Sequence, residues 1–445
     1  MKQTPREGSL EAPTRHSLDW RSPEFGDPTA LDAELERVFD ICHGCRRCFN
    51  LCHSFPTLFD AVDGSETGEL DSVSKKAYWD VVEHCYLCDM CYMTKCPYVP
   101  PHEWNVDFPH LMLRAKAKAF QDGRPSWRDK VLSATDTVGS LAGIPVVAQT
   151  INAVNRSRSG RRLLQQTLGV HAEAPVPAYH SNPARRRLRQ KVGRREADAV
   201  SAGGTKGRVL IFATCYGNRN QPGLVEDLND VFEHNGIPTA LAEKERCCGM
   251  PKLELGDLET VERYKNDNIE ELYEWVEGGW DIIAPIPSCV LMFKQELPLL
   301  FPDDEKVAAV AAGFFDPFEY LMLRHKVGRL DTNFRNTLGK VAYQVPCHLR
   351  VQNIGLKTRD ILALIPETQV QVIERCSGHD GTYAVKKEFN AISRKIARPV
   401  ARRVDAAKAE FFTSDCPMAA EQIASVSDAA EPTHPMSLLR RAYGI

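Results

Sequence analysis

The chain lacks a long apolar run. Among its 445 residues no stretch reaches the roughly 18 consecutive apolar residues that a membrane-crossing helix needs. The nearest approach, residues 138–154 (VGSLAGIPVVAQTINAV), is interrupted by Pro145, Gln149 and Asn152. Charge of one sign is also lacking: 56 Lys and Arg stand against 59 Asp and Glu, a formal net charge of −3. No global field therefore argues for nucleic acid as a partner. The first thirty residues are polar and carry several prolines but no apolar segment, so they read as a flexible tail (1–30) without a secretory signal. No GxGxxG opens a helix after a strand, and Gly203-Gly204 precedes a strand instead of following one. The chain is therefore not expected to bind flavin or nicotinamide itself.

Cysteine, by contrast, is plentiful. There are 15, an odd number that fits metal ligation in a reducing cytoplasm better than pairing into disulfides, which belong to short secreted chains. Eight of them form two runs, Cys42-x2-Cys45-x2-Cys48-x3-Cys52 and Cys85-x2-Cys88-x2-Cys91-x4-Cys96. The first has the spacing of a bacterial two-cluster ferredoxin, and the second carries one extra residue before its last cysteine. Zinc needs only four ligands, usually as two separated CxxC pairs, and these runs overshoot that need. Two [4Fe–4S] clusters are the better reading. In such ferredoxins the trailing cysteine serves the opposite cluster. The expected sets are Cys42, Cys45, Cys48 with Cys96, and Cys52 with Cys85, Cys88, Cys91. His53 stands where that pattern has proline, and His43, His53 and His84 are expected at the surface.

Length suggests about three domains, and composition (43% hydrophobic, 26% charged) is that of an ordinary globular protein. Residues 31–41 and 72–84 read as helices leading into the two cysteine runs, and residues 109–120 as another. Residues 31–122 are thus expected to form an all-α two-cluster domain. Residues 123–205 form a connector, ending in a basic, Gly-containing linker from Arg185 to Gly204 whose charges are expected to be solvated. Residues 138–154 are expected as a buried or partner-facing helix. The alternative is a helix lying on a membrane surface, followed by Arg156, Arg158, Arg161 and Arg162.

From Arg208 the pattern becomes α/β. Apolar runs at 209–213 and 281–284, with a short strand between them, precede Cys215, Cys289 and Cys247-Cys248-Gly249. Runs at 341–345, 370–373 and 411–413 precede Cys347, Cys376 and Cys416. Matching cysteines are offset by 132, 129 and 127 residues, which indicates an internal duplication. Two modules, 206–325 and 326–445, follow, each with cysteines at strand C-terminal ends, where open α/β sheets bind ligands. The fold class expected is α+β multidomain.

These motifs resemble the CCG cysteine-rich module of heterodisulfide reductase and its relatives. Ferredoxin runs followed by two such modules resemble the layout of the iron–sulfur subunits of anaerobic glycerol-3-phosphate dehydrogenase and of glycolate oxidase. ATDTVGSLAGIP and RRLLQQTL share the likeness to the glycerol-3-phosphate family. CSGHDGTY and SDCPMA are more similar to heterodisulfide reductase-related proteins, often encoded beside rubrerythrin. Full CCG motifs close with CxxC, but Met292 and Ala419 stand at the last positions here, and Ser377 replaces the second cysteine of the doublet. The five-cysteine, non-cubane ligand set of heterodisulfide reductase is therefore incomplete in both modules. Cys215, Cys247, Cys248 and Cys289 still suit an ordinary iron–sulfur cluster. Cys347, Cys376 and Cys416, completed by His379 or His348, suit zinc, a cluster with an open position, or no metal at all. The resemblance implies an electron-transfer subunit of an oxidoreductase, partnered by a flavoprotein dehydrogenase or a rubrerythrin-like protein. It is expected in the cytoplasm or peripherally at the inner face of the cell membrane. The alternatives are an enzyme reducing a disulfide or peroxide-linked partner at module one, and a non-redox scaffold or sensor.

Overall fold

The computed structural model describes residues 13–94, 96–189, 199–428 and 431–445. The chain forms two compact units. The first holds the chain up to Ser126 together with Lys252–Leu258 and Leu299–Pro302. Its principal helices are Pro28–Cys45, Ser54–Asp63, Lys75–Glu83 and Phe108–Gln121. The longest starts where Asp27 accepts the Ala30 N–H at 2.7 Å with Pro28 at the first helical position. It buries Leu31, Leu35, Val38 and Phe39, the i, i+4, i+7, i+8 stripe of an amphipathic helix. Phe39 meets Tyr78 edge-on at 5.1 Å, and Phe55 packs on Phe108 at 4.8 Å, which closes the core.

The expected loose tail is not loose from residue 13 onward. Thr14 donates its N–H to the Pro100 carbonyl at 3.0 Å, and Leu18 donates to Leu299 at 2.8 Å. Arg15 bridges Asp89 and Asp107, at 2.5 and 2.9 Å. Burial opposes ionisation of Asp107, yet His110 and Arg15 hold its carboxyl far below the usual range. The rest of the expected tail, residues 1–12, lies outside the described residues.

The second unit holds the connector helices and both α/β modules. In module one, strands β1 (Val209–Ile211), β2 (Thr239–Leu241), β3 (Asp281–Ile283) and β4 (Phe314–Phe315) form a parallel sheet in the order β2-β1-β3-β4. In module two, β5 (Gly339–Gln344), β6 (Thr368–Ile373) and β7 (Phe411–Ser414) run parallel in the order β6-β5-β7. The three strands that precede cysteines thus have the same order in both modules. β1 and β3 are buried throughout because helices cover both faces. β4 has no counterpart in module two among the described residues.

The basic linker is corrected in part. Arg185 donates to the carbonyls of Ala242 and Glu243 and lies 3.6 Å from Glu245, while Arg187 pairs with Glu226 at 2.9 Å. These charges are docked on module one rather than solvated. Residues 190–198 of the expected linker lie outside the described residues. Of the expectations for residues 138–154, the single buried helix is corrected: two helices, Thr135–Ala142 and Pro145–Arg156, leave Leu141 60% and Val146 72% exposed, which leaves a partner-facing stretch open.

The last helix, Pro435–Tyr443, crosses back to module one, where Arg440 meets Asp227 at 3.2 Å and the Tyr443 hydroxyl accepts from the Asn235 amide at 3.4 Å. His434 caps this helix. Its Nδ1 accepts the Met436 N–H at 3.1 Å, which leaves Nε2–H to donate to the Asp415 carbonyl at 3.1 Å. Burial lowers its pKa from 6.5 to about 4. Because the folded value is depressed, the neutral-imidazole contribution is complete above pH 6.5 and is lost as pH falls from 6.5 to about 4. Acidification over that window should cost up to about 3 kcal/mol from this group. Denaturant midpoints measured at pH 7 and 5 should fall less for His434→Gln than for the native chain; equal falls would remove His434 as the cause.

Candidate metal centres

In the first unit the two cysteine runs are shaped by left-handed turns. Helix Pro28–Cys45 carries Cys42 and Cys45 one turn apart, and Arg46 (φ 50°) swings the chain round to Cys48. In the second run Leu87 (φ 52°) and Asp89 (φ 58°) flank Cys88. Non-glycine residues rarely adopt this conformation, at a cost of order 1–2 kcal/mol each, and such strain gathers at functional loops.

The thiols gather across the runs. Burial, then Cys96, Cys48 and Cys45, push the Cys42 thiol well above its usual range. Cys42, Cys45, Cys48 and Cys96 share the wall of one cavity with Phe55, Phe59 and Tyr98. Cys52 is raised by burial and then by Cys85 and Cys88; Cys91 is raised by burial, then Cys48, Cys88, Cys85 and Cys52. Cys96 therefore lies with the first triplet and Cys52 with the second. Thiols crowded like this cannot ionise together without a positive centre between them, and the donor set fits a cubane whose irons supply it. His53 and His84 are half-buried. Their rings meet edge-on at 4.5 Å, and burial followed by His53 lowers His84 to about 4.

Module one brings its four cysteines together at the C-terminal ends of the strands. Thr214 (φ 64°) precedes Cys215 and caps the short helix Cys215–Arg219 by accepting the Gly217 N–H at 3.0 Å. A β-branched residue at positive φ is strained, and here the strain sits beside a thiol. Cys215 Sγ lies 4.0 Å from Cys247 Sγ, and Cys247, Cys248 and Cys289 are close enough that each thiol acts on the next. The bond to Cys247 and then burial hold Cys215 well above the usual thiol range. Gly249 (φ 99°) turns the chain after the doublet, and Met292, fully buried, packs 3.5 Å from where a Cβ on Gly249 would stand. Methionine thus fills the space at the position where CCG motifs close with cysteine.

Sequence reasoning missed the groups that hold this centre. Thr135 Oγ1 donates to Cys247 Sγ at 3.3 Å, Asp136 accepts the Cys247 N–H at 2.6 Å, and Asn268 donates to the Cys247 carbonyl at 3.2 Å. Glu245 accepts the Ala213 N–H at 3.0 Å, and burial, opposed by Arg185, raises it to about 7. The only hint was the ATDTVGSLAGIP stretch, which contains Thr135 and Asp136. Asp136→Ala should leave the Cys247 N–H buried and unpaired, costing about 1–3 kcal/mol. It should lower the unfolding midpoint and weaken any module-one metal signal, with the two ferredoxin-type signals intact. An unchanged midpoint and signal would assign the contact no structural weight.

Module two is built differently. Cys376 bonds to Cys347, and that bond, with the Gly378 N–H at 3.3 Å, lowers its pKa against burial. Burial raises Cys416 to about 11, opposed by the N–H groups of Ala419 and Met418. His379 is lowered to about 4 by burial and then by neighbouring His348. The Ser377 Oγ accepts the His379 N–H at 3.3 Å. Here, as in module one and the first unit, no three Cys, His, Asp or Glu side chains among the described residues converge on an ion-sized point. Tyr216, next to Cys215 in the chain, reaches module two: its hydroxyl donates to Glu421 at 3.4 Å and is influenced by Cys416.

The profile of the cysteine-rich CCG domain matches residues 209–294 and 341–423. Over 344 residues the chain is 30% identical to a subunit of the anaerobic glycerol-3-phosphate dehydrogenase of Escherichia coli K12, covering 76% of this chain and 82% of the relative. It is 25% identical over 213 residues to lactate utilization protein A of Oceanobacillus iheyensis (46% and 83% covered). It is 26% identical over 388 residues to a subunit of the CoM/CoB fumarate reductase of Methanothermobacter marburgensis (84% and 66% covered).

Proposed function

For a chain that belongs to the family of paired CCG cysteine-rich-domain proteins, with a relative in anaerobic glycerol-3-phosphate dehydrogenase, we propose the role of iron–sulfur electron-transfer subunit in an oxidoreductase complex. One cubane is held by Cys42, Cys45, Cys48 and Cys96, the other by Cys52, Cys85, Cys88 and Cys91. Electrons pass one at a time through them to or from a further cluster on Cys215, Cys247, Cys248 and Cys289. Bound clusters supply the electronic chemistry; the protein sets their potentials by burial and by hydrogen bonds to sulfur, as from Thr135 to Cys247. The observation that carries this reading is the gathering of each trailing cysteine with the opposite triplet. That two relatives are named as subunits of a dehydrogenase and a reductase supports work in a complex. The partner proposed is a flavoprotein dehydrogenase, with a rubrerythrin-like protein as the other candidate.

Anaerobic purification with iron, sulfide and zinc analysis and EPR tests the reading. About eight irons and eight sulfides from the two cubanes are expected, with further iron from module one. Stoichiometric zinc without acid-labile sulfide would overturn it.

A further inference from the structure

Helix Arg158–Leu168 is charged against its own dipole. Its first turn has no acidic residue, and Arg158, Arg161 and Arg162 stand at i, i+3 and i+4, on one face near its N-terminus. A helix N-terminus disfavours cations, and like charges at these spacings repel. Arg156, which closes the preceding helix Pro145–Arg156, adds a fourth guanidinium. Residues 137–172 contain these four arginines and no Asp or Glu, in a chain whose net charge is −3. All four line a groove of about 700 Å³, the size of a small-molecule site.

Arg161 gives the cluster a buried member, only 7% exposed. Its Nε and Nη2 donate to the carbonyls of Ala172, His171 and Ala174, at 3.0, 2.7 and 2.7 Å, while its buried Nη1 has no hydrogen-bond partner. Burial lowers its pKa below the ordinary arginine value, and among the described residues no carboxylate opposes it. A buried guanidinium with no counter-charge and one unmatched amine is destabilising until an anion meets it. Glu173, on the groove wall, lies 3.9 Å from Arg394 instead. The lining continues through Ala174-Pro175-Val176-Pro177-Ala178, an uncharged run suited to the organic part of a ligand.

Guanidinium clusters recognise carboxylates or phosphates, and the donors here favour phosphate. They come from two helices, and the buried member offers a single amine rather than a fork. A planar carboxylate is met best by a fork, whereas a tetrahedral phosphate takes donors from several directions. Four cations also call for more than one negative charge, and a phosphate monoester carries about −1.5 to −2 at pH 7. We propose that this groove binds a water-soluble organic phosphate. Arg161 Nη1 and the forks of Arg158 and Arg162 meet its phosphate oxygens, and residues 174–178 meet its organic part. The inference goes beyond the electron-transfer reading and does not rest on it, since none of these residues is a proposed cluster ligand.

The test is anaerobic titration calorimetry of the full-length, cluster-loaded protein with ADP, pyrophosphate, citrate and adenosine. ADP should bind one to one, raise the unfolding midpoint and bind more weakly as salt rises. Pyrophosphate should bind too, and adenosine should give no heat. Arg158→Glu and Arg162→Glu should each lower ADP affinity about tenfold or more. Both side chains are exposed, and a carboxylate near a helix N-terminus is favoured by the dipole, so iron content and the ligand-free midpoint should not fall. Arg402→Glu, exposed on helix Asn390–Ala407 outside the groove, should bind ADP as the native chain does. An equal loss in Arg402→Glu would reduce the effect to diffuse charge and overturn the proposal. So would the absence of heat from ADP, with or without heat from pyrophosphate, or tighter binding of citrate than of pyrophosphate. Binding to phosphatidylglycerol vesicles with no heat from either soluble phosphate would give the groove to a lipid headgroup and equally overturn it.

Discussion

Cys96→Ala should eliminate the same cluster as Cys45→Ala, although Cys96 lies in the other run. Cys52→Ala should likewise match Cys88→Ala. The expectation comes from the cross-run gathering of thiols: Cys96 is the first cysteine to act on Cys42, and Cys85 and Cys88 are the first to act on Cys52. The extra residue in Cys91-x4-Cys96 does not spoil this arrangement. The Cys96 N–H bonds back to the Cys91 carbonyl at 2.8 Å, so the chain closes one more turn before Cys96 leaves for the other triplet. Each variant should lose about four irons, and the EPR spectrum of the reduced protein should retain the other cubane. Because ligand binding and folding are coupled at such sites, the first unit should also unfold more readily. If the Cys96→Ala spectrum matches Cys88→Ala instead, each run holds its own cluster and the crossed assignment is wrong.

The elements that could be read from the sequence are those whose burial leaves a mark on composition. Strands 209–211 and 281–283 appear where short apolar runs precede a cysteine, because parallel strands covered on both faces need continuous apolar residues; edge strand 368–373 (TQVQVI) is legible instead by its alternation, and is only partly buried. β4 was not legible, since Phe314-Phe315 is only two residues long and precedes no cysteine. The cysteines of the candidate centres were legible by type and spacing alone. Their supports were not. Asp136 reaches a backbone N–H 111 residues downstream, and a single carboxylate on a main-chain amide creates no periodicity. The same physics hid the anchoring of residues 13–30: Arg15 between Asp89 and Asp107 is a polar clasp, so a polar sequence read as a free tail. Arg185 was misread for a related reason. A basic run reads as solvated unless the carbonyls and the buried Glu245 that receive it are known.

The two modules share strand order yet should differ in chemistry, and single cysteine replacements should separate them. In module one the thiols form a continuous chain, Cys215 to Cys247 at 4.0 Å, then Cys248, then Cys289. Such a set can surround a polynuclear centre. In module two the hydrogen-bonded pair is Cys347 with Cys376, and Cys376 is drawn below the usual thiol range by that bond. Cys416 is pushed the other way, up to about 11, by burial, with Asp415 and Glu421 adding to it. Ser377 has taken the place of the doublet's second sulfur, so three thiolates and a histidine are the most this module can offer, a set that suits a closed structural site. Cys247→Ala or Cys248→Ala should therefore abolish one EPR-active species and leave the two cubane signals untouched. Cys376→Ala should leave every EPR signal in place and lower the unfolding midpoint, by about 1–3 kcal/mol, with any zinc content falling in parallel. Should Cys376→Ala remove an iron–sulfur signal, the redox centre belongs to module two and the ranking of the modules is reversed.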